Sequence, residues 1–87
     1  MLTVEVLGEA LGVAQALGYR VRQEWLNGNP GGACVLRGRK LLFLDLALSP
    51  REQLEQVVQC LRGEPSLDRQ LLSPSLRALV PESDVRQ

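Results

Sequence analysis

The spacing of apolar positions changes along the chain, and each change marks an element. Leu7, Ala10, Leu11, Ala14 and Leu17 recur at three- and four-residue intervals, the stripe of an amphipathic helix running from Leu2 to Leu17. Thr3 is the expected N-cap, with Glu5 in the first turn. Gly18 stands just past the last periodic residue, where a left-handed C-cap glycine belongs. Gly8 and Gly12 weaken the helix by about 1 kcal/mol each. They leave room for a neighbour to pack closely there.

From Tyr19 the period falls to two. Tyr19, Val21, Gln23 and Trp25 alternate with Arg20, Arg22, Glu24 and Leu26, the signature of a half-buried strand. The turn-rich run Asn27 to Gly32 ends it. Ala33–Arg37 and Lys40–Leu46 are two apolar runs flanking Gly38-Arg39, which reads as a type II′ hairpin. In that register Arg37 faces Lys40, Leu36 faces Leu41, Val35 faces Leu42, Cys34 faces Phe43 and Ala33 faces Leu44. Both faces of the hairpin are then apolar, and Cys34 is expected to be buried beside Phe43.

Ser49-Pro50-Arg51-Glu52 is a helix start, with Ser49 as N-cap, Pro50 as first helical residue and Glu52 closing a capping box. Leu54, Val57, Val58 and Leu61 continue the stripe, and Gly63 stops it. Beyond Pro65, Ser66-Leu67-Asp68 and Ser73-Pro74-Ser75 open short helical turns. Leu71, Leu72, Leu76, Leu79 and Val80 would dock these turns on the core. The expected order is α-β-β-β-α with a three-stranded antiparallel sheet and a short helical C-terminal tail, an α+β fold. One domain spans 1–87, with an ordered core over 1–80 and a frayed end over 81–87.

Eighty-seven residues bound the chain to one small core. Three aromatics, Tyr19, Trp25 and Phe43, make that core aliphatic. Ten basic and ten acidic residues give zero net charge, which disfavours nucleic-acid binding by bulk charge. Histidine is absent, which excludes a histidine general base, a Ser-His-Asp triad and any zinc site that needs imidazole. No apolar run is long enough to span a bilayer. Glu5 and Glu9 precede the first basic residue, Arg20, the wrong charge order for a secretory signal. Cys34 and Cys60 are too few for a disulfide framework. These features point to a cytoplasmic protein with reduced thiols.

Few side chains carry candidate chemistry. Cys60 falls near a helix C-terminus, where the dipole disfavours a thiolate, so it reads as inert packing. Asp45 ends an apolar strand and reads as a loop hydrogen-bond acceptor or a partner of Arg51. Gly31-Gly32 precedes a strand rather than a helix, so it reads as a turn and not a phosphate cradle. Arg20, Arg22, Arg37, Arg39 and Lys40 form a candidate basic patch opposed by Glu24 alone. No pair of carboxylates converges by spacing.

The residues GYRVRQEWL and GGACVLRGRKLLFLDLALSPREQ, over roughly positions 19 to 56, resemble the strand-loop-hairpin region before the active-site helix of the ImmA/IrrE-type zinc peptidases. That family's helix carries a His-Glu-x-x-His zinc motif. Here Gln59 and Gly63 fall where the two histidines would stand, and Cys60 where the glutamate would stand. None can play the family's role, so the resemblance implies no catalytic residue, metal or cofactor for this chain. The chain is also similar to small bacterial proteins that run hairpin, helix and a short Pro-containing tail like LLSPSLRALV, a group from which no function carries over.

The expected function is therefore non-enzymatic, exercised through protein contacts or homo-oligomerisation. Two helices can cover only one face of a three-stranded sheet. The other face would leave Val35, Leu42 and Leu44 (or Leu36, Leu41 and Phe43) in water. Burying each is worth roughly 1.5–3 kcal/mol, which favours a two-fold homodimer through that face. The competing account is that the Leu-rich tail, Leu67 to Val80, folds back over it. Two other functions stand as alternatives: a nucleic-acid-binding or regulatory module using the basic hairpin, and a degenerate peptidase-like domain binding a peptide at a sheet edge.

Overall fold

A computed structural model describes residues 2–81. The first helix, α1, spans Thr3–Ala16 and buries Val6, Leu7, Ala10 and Ala14. It begins one residue earlier than the capping pattern implies. The Leu2 carbonyl already accepts from Val6 N–H at 3.1 Å, so Thr3 lies inside the helix and no side chain caps the end. The other end follows expectation. Gly18 adopts φ +98°, and Gly18 and Tyr19 N–H donate back to Gln15 and Ala14 carbonyls at 3.0 Å, which is a Schellman motif. Gly8 and Gly12 face open space, so the room they leave is not used by a close neighbour among the described residues.

Three strands follow: β1, Arg20–Glu24; β2, Gly32–Leu36; and β3, Arg39–Asp45. They form one sheet in the order β1-β3-β2. β2 is antiparallel to β3, but β1 runs parallel to it. The sheet is thus mixed, which corrects the expectation of a purely antiparallel one. A meander would place the weakly apolar β2, Gly-Ala-Cys-Val-Leu, at the centre. Instead β3 takes the centre, where Leu42 and Leu44 are wholly buried. The loop after β1 steps across the sheet end by two strand spacings, roughly 10 Å, rather than closing a hairpin.

The β2–β3 turn also differs. Arg37 and Gly38 are the two loop residues, with φ of 53° and 78°, the signature of a type I′ turn. The register shifts by two: Leu36 pairs with Arg39, Val35 with Lys40, Cys34 with Leu41 and Ala33 with Leu42. An even shift leaves every side chain on its expected face. It does move Cys34 from Phe43 to Leu41, at the outer strand, where the thiol is exposed rather than buried.

The second long helix, α2, spans Pro50–Arg62 and opens with the expected capping box between Ser49 and Glu52. It buries Leu54, Val57, Val58, Cys60 and Leu61 against α1 and the Leu42/Leu44 face of the sheet. Asp68 caps a 3-10 turn over Arg69–Leu71, and Ser73 caps a short helix, α3, over Pro74–Leu79. Leu72, Leu76 and Val80 join the core. The guanidinium of Arg77 holds this tail by donating to the Leu72 and Arg69 carbonyls at 2.7 and 3.0 Å. The tail therefore folds back, but onto the helical layer. Of the terminal segment expected to fray, Pro81 lies outside regular structure and 82–87 lie outside the described residues.

Candidate functional site

The helices settle which sheet face is covered. Tyr19, Val21, Leu42 and Leu44 point into the core. Strand alternation sends Arg20, Arg22 and Glu24 of β1, Arg39, Leu41, Phe43 and Asp45 of β3, and Gly32, Cys34 and Leu36 of β2 to the opposite face. Among the described residues none of these belongs to the core or packs beneath a helix. Of the expected interface trio, Leu42 and Leu44 are core residues; only Val35 is exposed, at 68%. That expectation is corrected. The open set is Leu36, Leu41 and Phe43, with Leu36 58% exposed and Leu41 and Phe43 half-buried.

The basic residues separate in the same way. Arg20, Arg22 and Arg39 share the open face, and Arg37 sits at the hairpin tip. Arg22 is paired with Glu24 at 2.6 Å. Lys40 leaves the patch altogether. Its ammonium donates to the Leu17 carbonyl at 2.8 Å and to Glu64 Oε1 at 2.9 Å, and lies 4.5 Å from the centre of the Tyr19 ring. It thus supplies the positive charge that the last turn of α1 lacks. Glu64 also accepts from Ser66, and these Ser66 bonds, followed by Lys40, hold its carboxyl down at about 2. Burial, with Cys60 and Glu64 beside it, pushes the Tyr19 hydroxyl up to about 12. Burial likewise raises the Cys60 thiol, which agrees with inert packing. This cluster pins the ends of α1 and α2 to the sheet.

Asp45 behaves as a loop acceptor, taking Ala47 N–H at 2.9 Å and Leu26 N–H at 3.4 Å. Gly31 is fixed by close approach: a Cβ there would stand 2.8 Å from the Phe43 carbonyl oxygen. Gly31, Gly32 and Ala33 line one wall of a groove of about 330 Å³, with Gln56, Gln59 and Cys60 of α2 opposite. The groove runs beside β2, and the buried Gln56 Oε1 has no hydrogen-bond partner among the described residues.

The sequence missed the exposure of Cys34 and of Trp25, 66% exposed. Trp25 lies one residue past the end of β1. The signal for Cys34 was the Arg37-Gly38 pair, with glycine second in the turn. No helix among the described residues is long and apolar enough to cross a membrane. Comparisons with protein-family models, with curated proteins and with solved structures find no match.

Proposed function

We propose that the chain is a non-catalytic cytoplasmic protein that works by protein–protein contact through the open side of its sheet, first of all with copies of itself. One observation carries this reading: Leu36, Leu41, Phe43 and Cys34 form an apolar strip on a sheet face that no helix of the described chain covers. Contiguous apolar surface of this kind marks interaction sites. Arginines at the margin and apolar residues at the centre match the anatomy of a protein interface.

Sedimentation across the micromolar range tests it. The native chain should gain mass with concentration, and Leu41→Glu, with the melting transition retained, should weaken that gain. A chain that stays monomeric throughout overturns the homo-oligomer.

The placement of Arg20, Arg22 and Arg39 on the same face as Phe43, with Arg22 directly opposite it, favours a second reading, single-stranded nucleic acid on that face. Binding at low salt that falls steeply as salt rises would establish it. A third reading lays an extended peptide along β2, beside the Gln56/Gln59 groove.

A further inference from the structure

We propose that the outer edge of β2 pairs antiparallel with the β2 edge of a second copy, the two-fold axis passing between the two Cys34 residues. This rests on the reading of the chain as a protein-contact module and names its partner and register.

The two edges of the sheet are unlike. β1 carries Arg20, Arg22 and Glu24 in five residues, the kind of charge that guards an edge. β2, Gly32–Leu36, has no charge and no proline, and its large apolar side chains Val35 and Leu36 are 68% and 58% exposed. In a two-residue hairpin the flanking pair, Leu36 and Arg39, is hydrogen-bonded. Alternation then turns the backbone N–H and C=O of Leu36, Cys34 and Gly32 toward β3. Those of Ala33 and Val35 point outward, unpaired within the sheet.

A two-fold axis at Cys34 satisfies all of them. Ala33 of each copy lies opposite Val35 of the other as a hydrogen-bonded pair. The two Cys34 residues form the non-hydrogen-bonded pair between. Side-chain sizes complement: Leu36 lies beside Gly32, and Val35 beside Ala33. The groove next to Ala33 gives the incoming Val35 side chain room. This register pairs all five residues of β2, and any slip pairs fewer.

Charge agrees with the antiparallel sense. It sets the two Arg37 hairpin tips about 20 Å apart, six residues along a strand, roughly twice the Debye length. A parallel pairing would bring them together. Five residue pairs make a small interface, below about 1,200 Å², so the dimer is reversible. Two-fold pairing uses up the edge, so this contact joins two copies and no more, and it leaves the open face of the joined sheet free.

Cys34 reports the geometry. Residues opposite each other at a non-hydrogen-bonded site have Cα atoms about 4.5 Å apart, within disulfide range. Diamide added to the reduced native chain takes two electrons and two protons from two thiols, forming one S–S bond and the hydrazine. The expected product is a Cys34–Cys34 dimer, formed about tenfold faster than the dimer of Cys34→Ser/Val35→Cys, whose thiols stand out of register. Cys34→Ser should keep the gain in mass with concentration in sedimentation, and Cys34→Ser/Val35→Lys should lower it to whatever the open face alone supports, with an unchanged melting transition. Equal linking rates for the two cysteine positions overturn the register. A concentration-dependent gain in mass without selective Cys34 linking sinks this edge pairing but leaves the protein-contact reading standing. Monomers at every concentration sink both.

Discussion

Ser73 and Glu9 lock the tail to the first helix across 64 residues of sequence. Ser73 N–H and Oγ–H donate to the two Glu9 carboxylate oxygens at 2.9 and 2.6 Å. The same Ser73 hydroxyl accepts from Leu76 N–H and caps α3. One side chain thus starts a helix and docks it. That contact commits the tail to the helical layer and leaves the sheet face open.

Ser73→Ala should cost about 2 kcal/mol, because it removes the cap and one bond to a charged acceptor together. Glu9→Gln keeps a carbonyl acceptor and should cost less. Chemical denaturation measures both. Equal, negligible losses would mean that the tail is held by Leu72, Leu76 and Val80 alone.

Glu64 makes the fold acid-sensitive. Its carboxyl is held at about 2 by Ser66 and Lys40, below the ordinary value of about 4.3 in an unfolded chain. A depressed pKa contributes stability that is complete above the unfolded value and lost as the folded value is approached. Melting temperature should therefore fall between about pH 4.5 and 2, and Glu64→Gln should flatten the fall in that window. An unchanged slope in the variant would assign the acid sensitivity to other carboxylates.

Local chemistry was legible in the sequence, and choices between distant partners were not. Ser49, Pro50 and Glu52 cap α2 as read, and Gly18 ends α1 as read, since both act within four residues. The faces of the hairpin also survived, because the register slipped by an even number. The place of β3 at the sheet centre depends on Leu42 and Leu44 outcompeting Val35 for burial, a comparison that no local pattern encodes. Lys40 was read with the basic patch. It is withdrawn by Glu64, 24 residues away in sequence. Of the candidate site, Leu36, Leu41 and Phe43 were legible as one face, but which face the helices would cover was not.

The thiols should separate by position. Cys34 is exposed and Cys60 is buried, with its thiol pushed up by burial. A thiol reagent should label Cys34 quickly in the native state and Cys60 only after denaturation. Mass spectrometry of the labelled peptides reads the order. Slow labelling of Cys34 in the dilute, monomeric chain would contradict the register of β2.

The β2–β3 turn holds a correctable strain. Arg37 sits at φ 53°, in the left-handed region that costs an ordinary L-residue roughly 1 kcal/mol. Asparagine tolerates that region, and Asn-Gly is the favoured pair for a type I′ turn. Arg37 makes no hydrogen bond or ion pair through its side chain among the described residues, and it is exposed. Arg37→Asn should then stabilise the chain by a few tenths to about 1 kcal/mol, raising the melting temperature by several degrees. Arg37→Val, β-branched and averse to positive φ, should do the opposite. If the register instead placed Gly38 first in the loop, as in a type II′ turn, Arg37 would lie in the strand. Asparagine there would lower stability and valine would raise it. The sign of the pair of substitutions therefore decides between the two turns, and with them whether Cys34 faces Leu41 or Phe43.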